Sequence, residues 1–512
     1  MMENTLPDQS ARVDTTPAPR GTAGLREACL SQLEGVISDA MRLIGSAAGS
    51  LSLSDYARSL PGGRPALQDG GDLVEVVRTL AARLYPSSVA KGLERELEDR
   101  YLALTANHLG IDYHPEFLQG DFLFAMGCRK VVPVFACGGV PCDNPAFPRG
   151  VVLAPRSSET TRPFHLPLFS NARRRALVSV REAYGADDAL SALGTYVSRG
   201  CLTPIERSII EGLVRRLYLA PAVLGQRSFR DQMSIANSLL WQKLAAPDLR
   251  LPALVSLDLQ QVAAELIIRD LAGSGTLIHD LVLEPELTRA VQAELNGARS
   301  CWTLREKTGE EEPGLARGSF LFWALDEKKA GLRLMLHPRE HSLVCPDRPE
   351  LKIALEQEGL IQALKEGRLL PSLYLSFAAL ALARGLSCAG GVFQCAYLPR
   401  MAQGTAEALR RCGERARAEH LAGVSPVCTG PLPLRADLPF GGSPGDDCAA
   451  GAIDILAGGG IGARLWAALG DISLRDAFQC ALSYHYEDLV APSARLGGWK
   501  TALAAPGPGL AV

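Results

Sequence analysis

The chain has almost no net charge, no long hydrophobic run and no paired metal-binding cysteines, and each shortage narrows what it can do. Its 512 residues carry a formal net charge of -3, so the usual electrostatic reason to expect nucleic acid or an anionic membrane as a partner is missing. The most apolar stretch, Leu369 to Ala383, contains a proline and is shorter than the roughly twenty residues that cross a bilayer. We therefore expect no nucleic acid and no membrane among the partners.

Polar residues dominate Met1 to Gly21, a segment rich in proline and threonine. It has no apolar core like that of a signal peptide, so we expect a disordered tail on a soluble, cytoplasmic protein. In a cytoplasm the 13 cysteines would stay reduced. Pairs such as Cys137 and Cys142 do not have the C-x2-C spacing of a zinc knuckle, so most cysteines are expected to be small core residues.

Hydrophobic periodicity predicts a helix-rich protein that also contains short strands. Apolar residues recur at helical spacing in several segments, and short apolar runs between glycines and prolines are typical of strands. Helices are predicted at Ala23–Gly45, Leu73–Leu84, Ser87–Leu109, Leu259–Leu271 and Pro285–Leu295, and strands at Phe122–Phe124, Val131–Phe135, Val151–Leu153 and Leu254–Leu257. Because strands and helices do not alternate regularly, we expect an α+β or irregular mixed α/β fold.

The length predicts about two to four domains. Composition and periodicity change near residues 110 and 310. We expect the tail at 1–21, a helical region at 22–110, a mixed α/β region with the candidate site at 111–310, and a hairpin followed by a helix-rich region at 311–512. The hairpin is predicted from two apolar runs, Ser319 to Leu325 and Gly331 to Leu336, that a charged turn joins.

The densest group of reactive side chains lies between Asn107 and His114 and includes His108 and Asp112. The predicted helix would end at Gly110, because glycine accepts the left-handed conformation of a C-cap. Asp112 and His114 would then lie on the following loop. Two imidazoles and one carboxylate suit zinc or iron, so a divalent metal held by His108, Asp112 and His114 is predicted. Asn107, Glu116 and Gln119 would supply a second shell.

The spacing His108-x-x-x-Asp112 resembles the HxxxD element of CoA-dependent acyltransferases and carrier-protein condensation domains. The resemblance rests on these two positions. It implies that His108 is a general base that removes a proton from an acceptor hydroxyl or amine, and that Asp112 has a structural role in the site. A metal enzyme and an acyltransferase are therefore alternative readings of the same residues.

A second loop, Cys137 to Arg149, lies between two predicted strands and contains adjacent glycines that allow a ligand to approach the backbone. Arg149 is a candidate clamp for a carboxylate or phosphate. Asn144 and Gln119 are further candidate substrate-binding residues, and Cys137 is a candidate nucleophile beside His108.

Together these residues predict an enzyme of small-molecule metabolism, such as a biosynthetic transferase, whose catalytic residues are His108 and Asp112. The two loops must converge for this to hold. If they do not, His108 is a cation at a helix end and Asp112 forms a turn, and the chain is a non-catalytic binding or scaffold protein.

Overall fold

The computed structural model describes residues 22–63, 67–68, 70–111, 114–169, 174–198, 202–303, 318–421, 423–424, 427–438, 447–504 and 509–512. The predicted tail at 1–21 and the candidate residue Asp112 lie outside the described residues. Within the described part of the chain, no helix is long and apolar enough to cross a membrane.

Helices make up most of the regular structure. The α-helices are α1 (Thr22–Gly45), α2 (Leu53–Ser59), α3 (Gly71–Leu84), α4 (Ser87–Arg100), α5 (Pro115–Ala125), α6 (Ala186–Ser198), α7 (Pro204–Leu213), α8 (Pro221–Leu224), α9 (Phe229–Lys243), α10 (Leu259–Ala272), α11 (Leu277–Leu283), α12 (Pro285–Glu294), α13 (Gln357–Lys365), α14 (Leu373–Phe377), α15 (Val392–Arg411), α16 (Arg415–Leu421), α17 (Ala452–Ala457), α18 (Ala463–Asp471), α19 (Leu474–Gln479), α20 (Leu482–Leu489) and α21 (Trp499–Leu503). Two π-helical turns, Val214–Tyr218 and Ala378–Ala383, extend α7 and α14.

The strands are short. They are β1 (Leu102–Leu104), β2 (Val131–Ala136), β3 (Gly150–Leu153), β4 (Phe164–Pro167), β5 (Ala253–Asp258), β6 (Phe322–Leu325), β7 (Gly331–Arg333), β8 (Met335–Leu336), β9 (Ser342–Cys345), β10 (Arg348–Ala354), β11 (Leu369–Pro371), β12 (Ser387–Ala389), β13 (Leu434–Asp437), β14 (Asp447–Ala449) and β15 (Leu510–Ala511).

A four-stranded parallel sheet positions the candidate site. Its strand order is β12-β1-β2-β5, and α4, α5, α9 and α10 pack against β2 or β5. All residues of β1 and β2 are buried, as expected for parallel strands covered on both faces. The carboxyl ends of the four strands share one edge, where ligands bind in many open α/β sheets.

The helix-rich α+β fold is confirmed: helix content is 53% and strand content is 17%, spread over several small sheets. The predicted strands at Val131–Phe135, Val151–Leu153 and Leu254–Leu257 are β2, β3 and β5. The predicted hairpin is also present, because β6 pairs antiparallel with β7.

The predicted helix Ser87–Leu109 is wrong in its second half. Helix α4 ends at Arg100, Tyr101 adopts a left-handed conformation with φ of 46°, and Leu102–Leu104 form β1 in the sheet. A short, fully buried parallel strand is a plain apolar run, which periodicity cannot distinguish from helix. His108 therefore lies on a loop beyond a strand and not in a last helical turn.

The predicted strand Phe122–Phe124 is wrong as well, since these residues belong to α5. That helix is buried from Leu118 to Ala125, so its sequence is apolar all round and shows no helical stripe. Pro115 at its first position is the local signal for a helix start.

Candidate functional site

The loops that follow β1 and β2 run side by side at the carboxyl edge of the sheet. Leu104 pairs with Val134, whereas the next bridge joins His108 to Cys137. Between these two pairings the first segment advances four residues, from Leu104 to His108, whereas the second advances three, from Val134 to Cys137. The loop after β1 therefore carries one extra residue, as in a β-bulge. Leu109 N–H donates to the Cys137 carbonyl at 3.0 Å. The two loops that the sequence singled out are in direct contact.

Gly110 makes this contact possible. A Cβ at Gly110 would stand 2.7 Å from Pro148 Cα, closer than real Cβ contacts allow. The adjacent Ile111 N–H donates to the Pro148 carbonyl at 3.0 Å. The glycine was predicted to cap a helix, but the structure uses it for close approach of two backbones.

Asn144 fixes the tautomer of His108. The Asn144 Oδ1 lies 3.0 Å from His108 Nδ1 and also accepts the Ala146 N–H at 3.0 Å. Since the backbone N–H identifies this atom as the oxygen, Nδ1 of His108 must be the donor. The proton is then on Nδ1, and Nε2 carries the lone pair. Asn144 was predicted to bind substrate, whereas its carbonyl oxygen contacts His108.

Phe117 is an aromatic neighbour of both candidate histidines. Its ring centroid is 5.2 Å from that of His108 and 5.4 Å from that of His114. His114 precedes α5, and the Tyr484 hydroxyl lies 3.0 Å from its Nε2. The histidines therefore share one aromatic neighbour but have different polar partners.

Phe147 occupies a strained position in the second loop. Its φ is 57°, a left-handed conformation that bulky residues rarely adopt. Its ring stacks on His165 with centroids 4.6 Å apart, and the Arg149 guanidinium lies 5.0 Å from the ring centroid. Arg149 is only 8% exposed. Strain of this kind persists where surrounding contacts enforce it, frequently at binding sites.

Burial keeps the histidines neutral. It lowers the pKa of His108 to about 4, against a smaller opposing effect of the hydrogen bond with Asn144. It lowers the pKa of His114 to about 3, with further contributions from His165 and His108. The pKa of His165 is lowered by burial and by the charge of Arg149. All three imidazoles are therefore in the neutral form at neutral pH, the form that binds a metal or accepts a proton.

Cys137 is beside His108 but is not activated. Burial raises the pKa of its thiol to about 11, and Gln260 Nε2 lies 3.5 Å from Sγ. The Gln260 Oε1 accepts the N–H groups of Gly138 and Gly139. A protonated thiol is a poor nucleophile, so this geometry gives Cys137 no sign of that role.

The side chains of Gln119 and Asn107 have hydrogen-bond partners outside the two loops. The Gln119 amide donates to the carbonyls of Leu434 and Ala450 and accepts the Leu434 N–H. Asn107 donates to the buried Asp121 at 3.0 Å, and burial raises the pKa of Asp121 well above its ordinary value. Both amides hold the core beneath the site.

The predicted metal ligands are only partly described, because Asp112 lies outside the described residues. In the part of the chain that the structure covers, no three histidine, cysteine or acidic side chains are arranged to hold a metal ion. His108 fits a ligand role, with its Nε2 lone pair available and Nδ1 held by Asn144. His114 fits less well, because the Tyr484 hydroxyl competes for its Nε2.

Sequence reasoning missed several residues that surround the histidines: Phe117, Phe147, His165, Tyr218 and Tyr484. Tyr218, in the first π-helical turn, donates to the Ile111 carbonyl and so anchors the first loop. Tyr484 is 370 positions from His114 in the chain, and no local pattern could have paired them. The local signal that the sequence did offer was Phe147, two residues before Arg149 in the second loop.

No family model matches the chain, and neither a curated protein nor a solved structure does so.

Proposed function

We propose that this protein is an enzyme that acts on a small molecule and uses His108 as a general base. The observation that carries the proposal is the contact between His108 Nδ1 and Asn144 Oδ1, whose orientation the Ala146 N–H fixes. An imidazole held in one tautomer by an amide or carboxylate oxygen is oriented as the histidine of many general-base sites is.

The pKa of His108, lowered to about 4, makes it available but weak as a base. General bases work best when their pKa lies near the working pH. A substrate that brings a negative charge close to His108 would raise this pKa. Arg149 is the candidate group for binding that charge, because it is cationic, buried and close to His165.

Acyl transfer is the favoured reaction class. In the HxxxD chemistry that His108 and Asp112 resemble, the histidine removes the proton of an acceptor hydroxyl or amine. The neutral, oriented His108 suits that step. The acceptor oxygen or nitrogen attacks the acyl carbon, its proton passes to Nε2, and the bond to the leaving group breaks.

The test compares turnover by the parent protein and His108→Gln. Acetyl-CoA with a panel of amine and alcohol acceptors, and p-nitrophenyl acetate with water, are the probes. We expect His108→Gln to lower turnover roughly 10²- to 10⁴-fold and Asn144→Ala to lower it less. His337→Gln, at the turn between β8 and β9, is the matched control and should be unaffected. Equal rates in the parent and His108→Gln would refute the proposal.

Zinc or iron bound by His108, His114 and Asp112 is the second candidate, favoured by the low pKa values of the two imidazoles, since only neutral imidazole binds metal. Elemental analysis of the purified protein distinguishes this metal site from the general-base function. Stoichiometric metal that disappears in both His108→Gln and His114→Gln would make His108 a ligand. Turnover without metal, sensitive to His108→Gln alone, would make it the base.

A further inference from the structure

Two buried thiols meet outside the site described above. Cys395 lies near the start of α15, and Cys428 lies on a segment that pairs in parallel with Gly390. Both are free cysteines, each 1% exposed, and their side chains share a hydrogen bond. This bond joins the two sulfur atoms that a disulfide would join, so a short approach separates the thiol pair from a covalent link.

Backbone contacts fix the position of Cys428. The Gly390 N–H donates to the Val427 carbonyl at 3.0 Å, and the Thr429 N–H donates to the Gly390 carbonyl at 2.7 Å. The Tyr56 hydroxyl donates to the Cys428 carbonyl at 3.0 Å and accepts the Cys428 N–H at 3.2 Å. The end of β12 and helix α2 therefore hold this cysteine beside the start of α15.

The pair is unreactive as long as it stays covered. The neighbouring thiol of Cys428, and after it burial, raise the pKa of Cys395 well above its ordinary value. Only a thiolate attacks a disulfide, and contact with water removes the effect of burial. Oxidation therefore needs a local opening that exposes both sulfur atoms.

Helix α1 covers the pair. It packs against α15, and its residues Cys29, Leu33 and Ile37 belong to the same hydrophobic cluster as the two thiols. The charge of Asp39 on α1 acts on Cys395, although the Asp39 side chain is 30% exposed. The helix is interrupted at Ile37, whose φ of -127° and ψ of 39° are not helical. Opening α1 at this point costs less than opening an unbroken helix, because the regular hydrogen bonds are already broken there.

We propose that Cys395 and Cys428 are a reversible disulfide pair and that opening of α1 admits the small-molecule disulfide that oxidises them. In the balanced reaction one protein thiolate attacks a sulfur of the reagent R–S–S–R, the S–S bond of the reagent breaks and the first R–S⁻ leaves. The second protein thiolate attacks the mixed disulfide and releases the second R–S⁻. The two thiol protons end on two R–SH molecules, so the protein is oxidised and the reagent is reduced.

The link acts at the edge of the sheet that carries the His108 loop. Gln394, next to Cys395, donates to the Thr105 hydroxyl at 2.7 Å and to the Cys388 carbonyl at 3.2 Å. Thr105 follows β1, and Cys388 lies in β12. A disulfide therefore fixes the start of α15 beside the ends of both strands, and it forms whether or not His108 is a general base.

Equilibration of the full chain in mixtures of reduced and oxidised glutathione tests the pair. After alkylation of the remaining thiols and trypsin digestion, mass spectrometry should find the peptide 385–400 joined to the peptide 418–435, with two hydrogen atoms lost. Dithiothreitol should remove the link. Cys395→Ser and Cys428→Ser should each abolish it, whereas Cys388→Ser, in the same peptide as Cys395, should retain it. No link in the parent at an oxidising ratio, or separate glutathione adducts in its place, overturns the proposal.

The rate at which the link forms tests the cover. Leu33→Ala removes a fully buried side chain of α1 and should speed link formation by about tenfold or more, because a cavity weakens the packing of the helix. Glu27→Ala, on the exposed face of the same helix, is the matched control and should change the rate by less than about twofold. Equal rates in the parent and in Leu33→Ala would overturn the assignment of α1 as the element that opens.

Discussion

At the scale of single residues, the site depends on keeping imidazoles neutral in a partly buried place. His108 and His114 have folded pKa values lowered to about 4 and about 3, whereas an unfolded histidine titrates near 6.5. Below pH 6.5 the unfolded chain therefore binds protons that the folded chain refuses. The neutral histidines therefore contribute to the free energy of unfolding above pH 6.5, and this contribution is lost as the pH falls toward 4.

His108→Gln and His114→Gln should reduce this loss. Between pH 7 and pH 5, the free energy of unfolding of each variant is expected to fall by about 1 to 2 kcal/mol less than that of the parent. Urea unfolding at both pH values measures this difference. His337→Gln is the control and should follow the parent. A variant whose stability falls as steeply as that of the parent would show that these imidazoles are protonated in the folded state.

Asn144→Asp should have the opposite electrostatic effect. A carboxylate beside Nδ1 stabilises the imidazolium, so the pKa of His108 should rise by about 1 to 3 units above its value of about 4. An NMR titration of the His108 ring measures this. Asp143→Asn, which changes the charge of the exposed neighbour, should leave the titration unchanged. An unaltered His108 in Asn144→Asp would mean that the contact does not form.

The sequence identified His108, His114, Asn144 and Arg149 because polar residues gather on two loops, and those loops do meet. It could not identify Tyr484 as a neighbour of His114, because α20 reaches the site only through long-range packing. The metal, the acyl transfer and the role of Asp112 remain predictions.

At the scale of elements, the loops are held by backbone contacts that one methyl group would break. A Cβ at Gly110 would lie 2.7 Å from Pro148 Cα. Gly110→Ala should therefore push the loops apart, cost about 1 to 3 kcal/mol and remove the His108 to Asn144 hydrogen bond. Thermal unfolding and the His108 ring signals report the two effects.

Gly212→Ala is the matched control for that experiment, because Gly212 lies in α7 with nothing within 4 Å of an added Cβ. Alanine is the better helix former, so this variant should be as stable as the parent or more so. If Gly110→Ala behaves in the same way, the close contact between the loops is not a constraint.

The sequence predicts helices and strands well where one face of the element is exposed, and less well where the element is buried on all sides. The amphipathic α3 and the hairpin of β6 and β7 follow directly from periodicity. β1 and α5 do not, because an apolar run buried on all sides has the same composition in either conformation. His108 follows β1 and Phe117 lies in α5, so the two elements that periodicity did not predict are those that position these side chains.

At the scale of the whole molecule, the predicted regions are joined. The regions 22–110, 111–310 and 311–512 contribute β1, β2 with β5, and β12 to a single sheet. The hydrophobic core likewise runs from Leu53 to Ala477 without regard to those boundaries. Composition changes along a chain indicate which segments resemble each other, but they do not reveal which strands pair.

One buried ion network ties the same three regions together. Arg384, only 1% exposed, contacts Asp72 at 2.6 Å and Asp270 at 2.9 Å, and Gln68 donates to Asp270 at 2.7 Å. Replacing the arginine leaves the buried Asp270 without its compensating charge, which typically costs about 3 to 5 kcal/mol.

Arg384→Met should therefore lower the urea midpoint of unfolding strongly, although methionine fills much of the same space. Arg410→Met, which removes an exposed pair with Glu407 on α15, should cost about 0 to 1 kcal/mol. Because Arg384 connects α3, α10 and the second π-helical turn, tryptophan fluorescence and far-ultraviolet dichroism should shift together in this variant. A cost similar to that of Arg410→Met would show that the buried network contributes little. A shift in only one probe would show that the three regions unfold separately despite their common sheet.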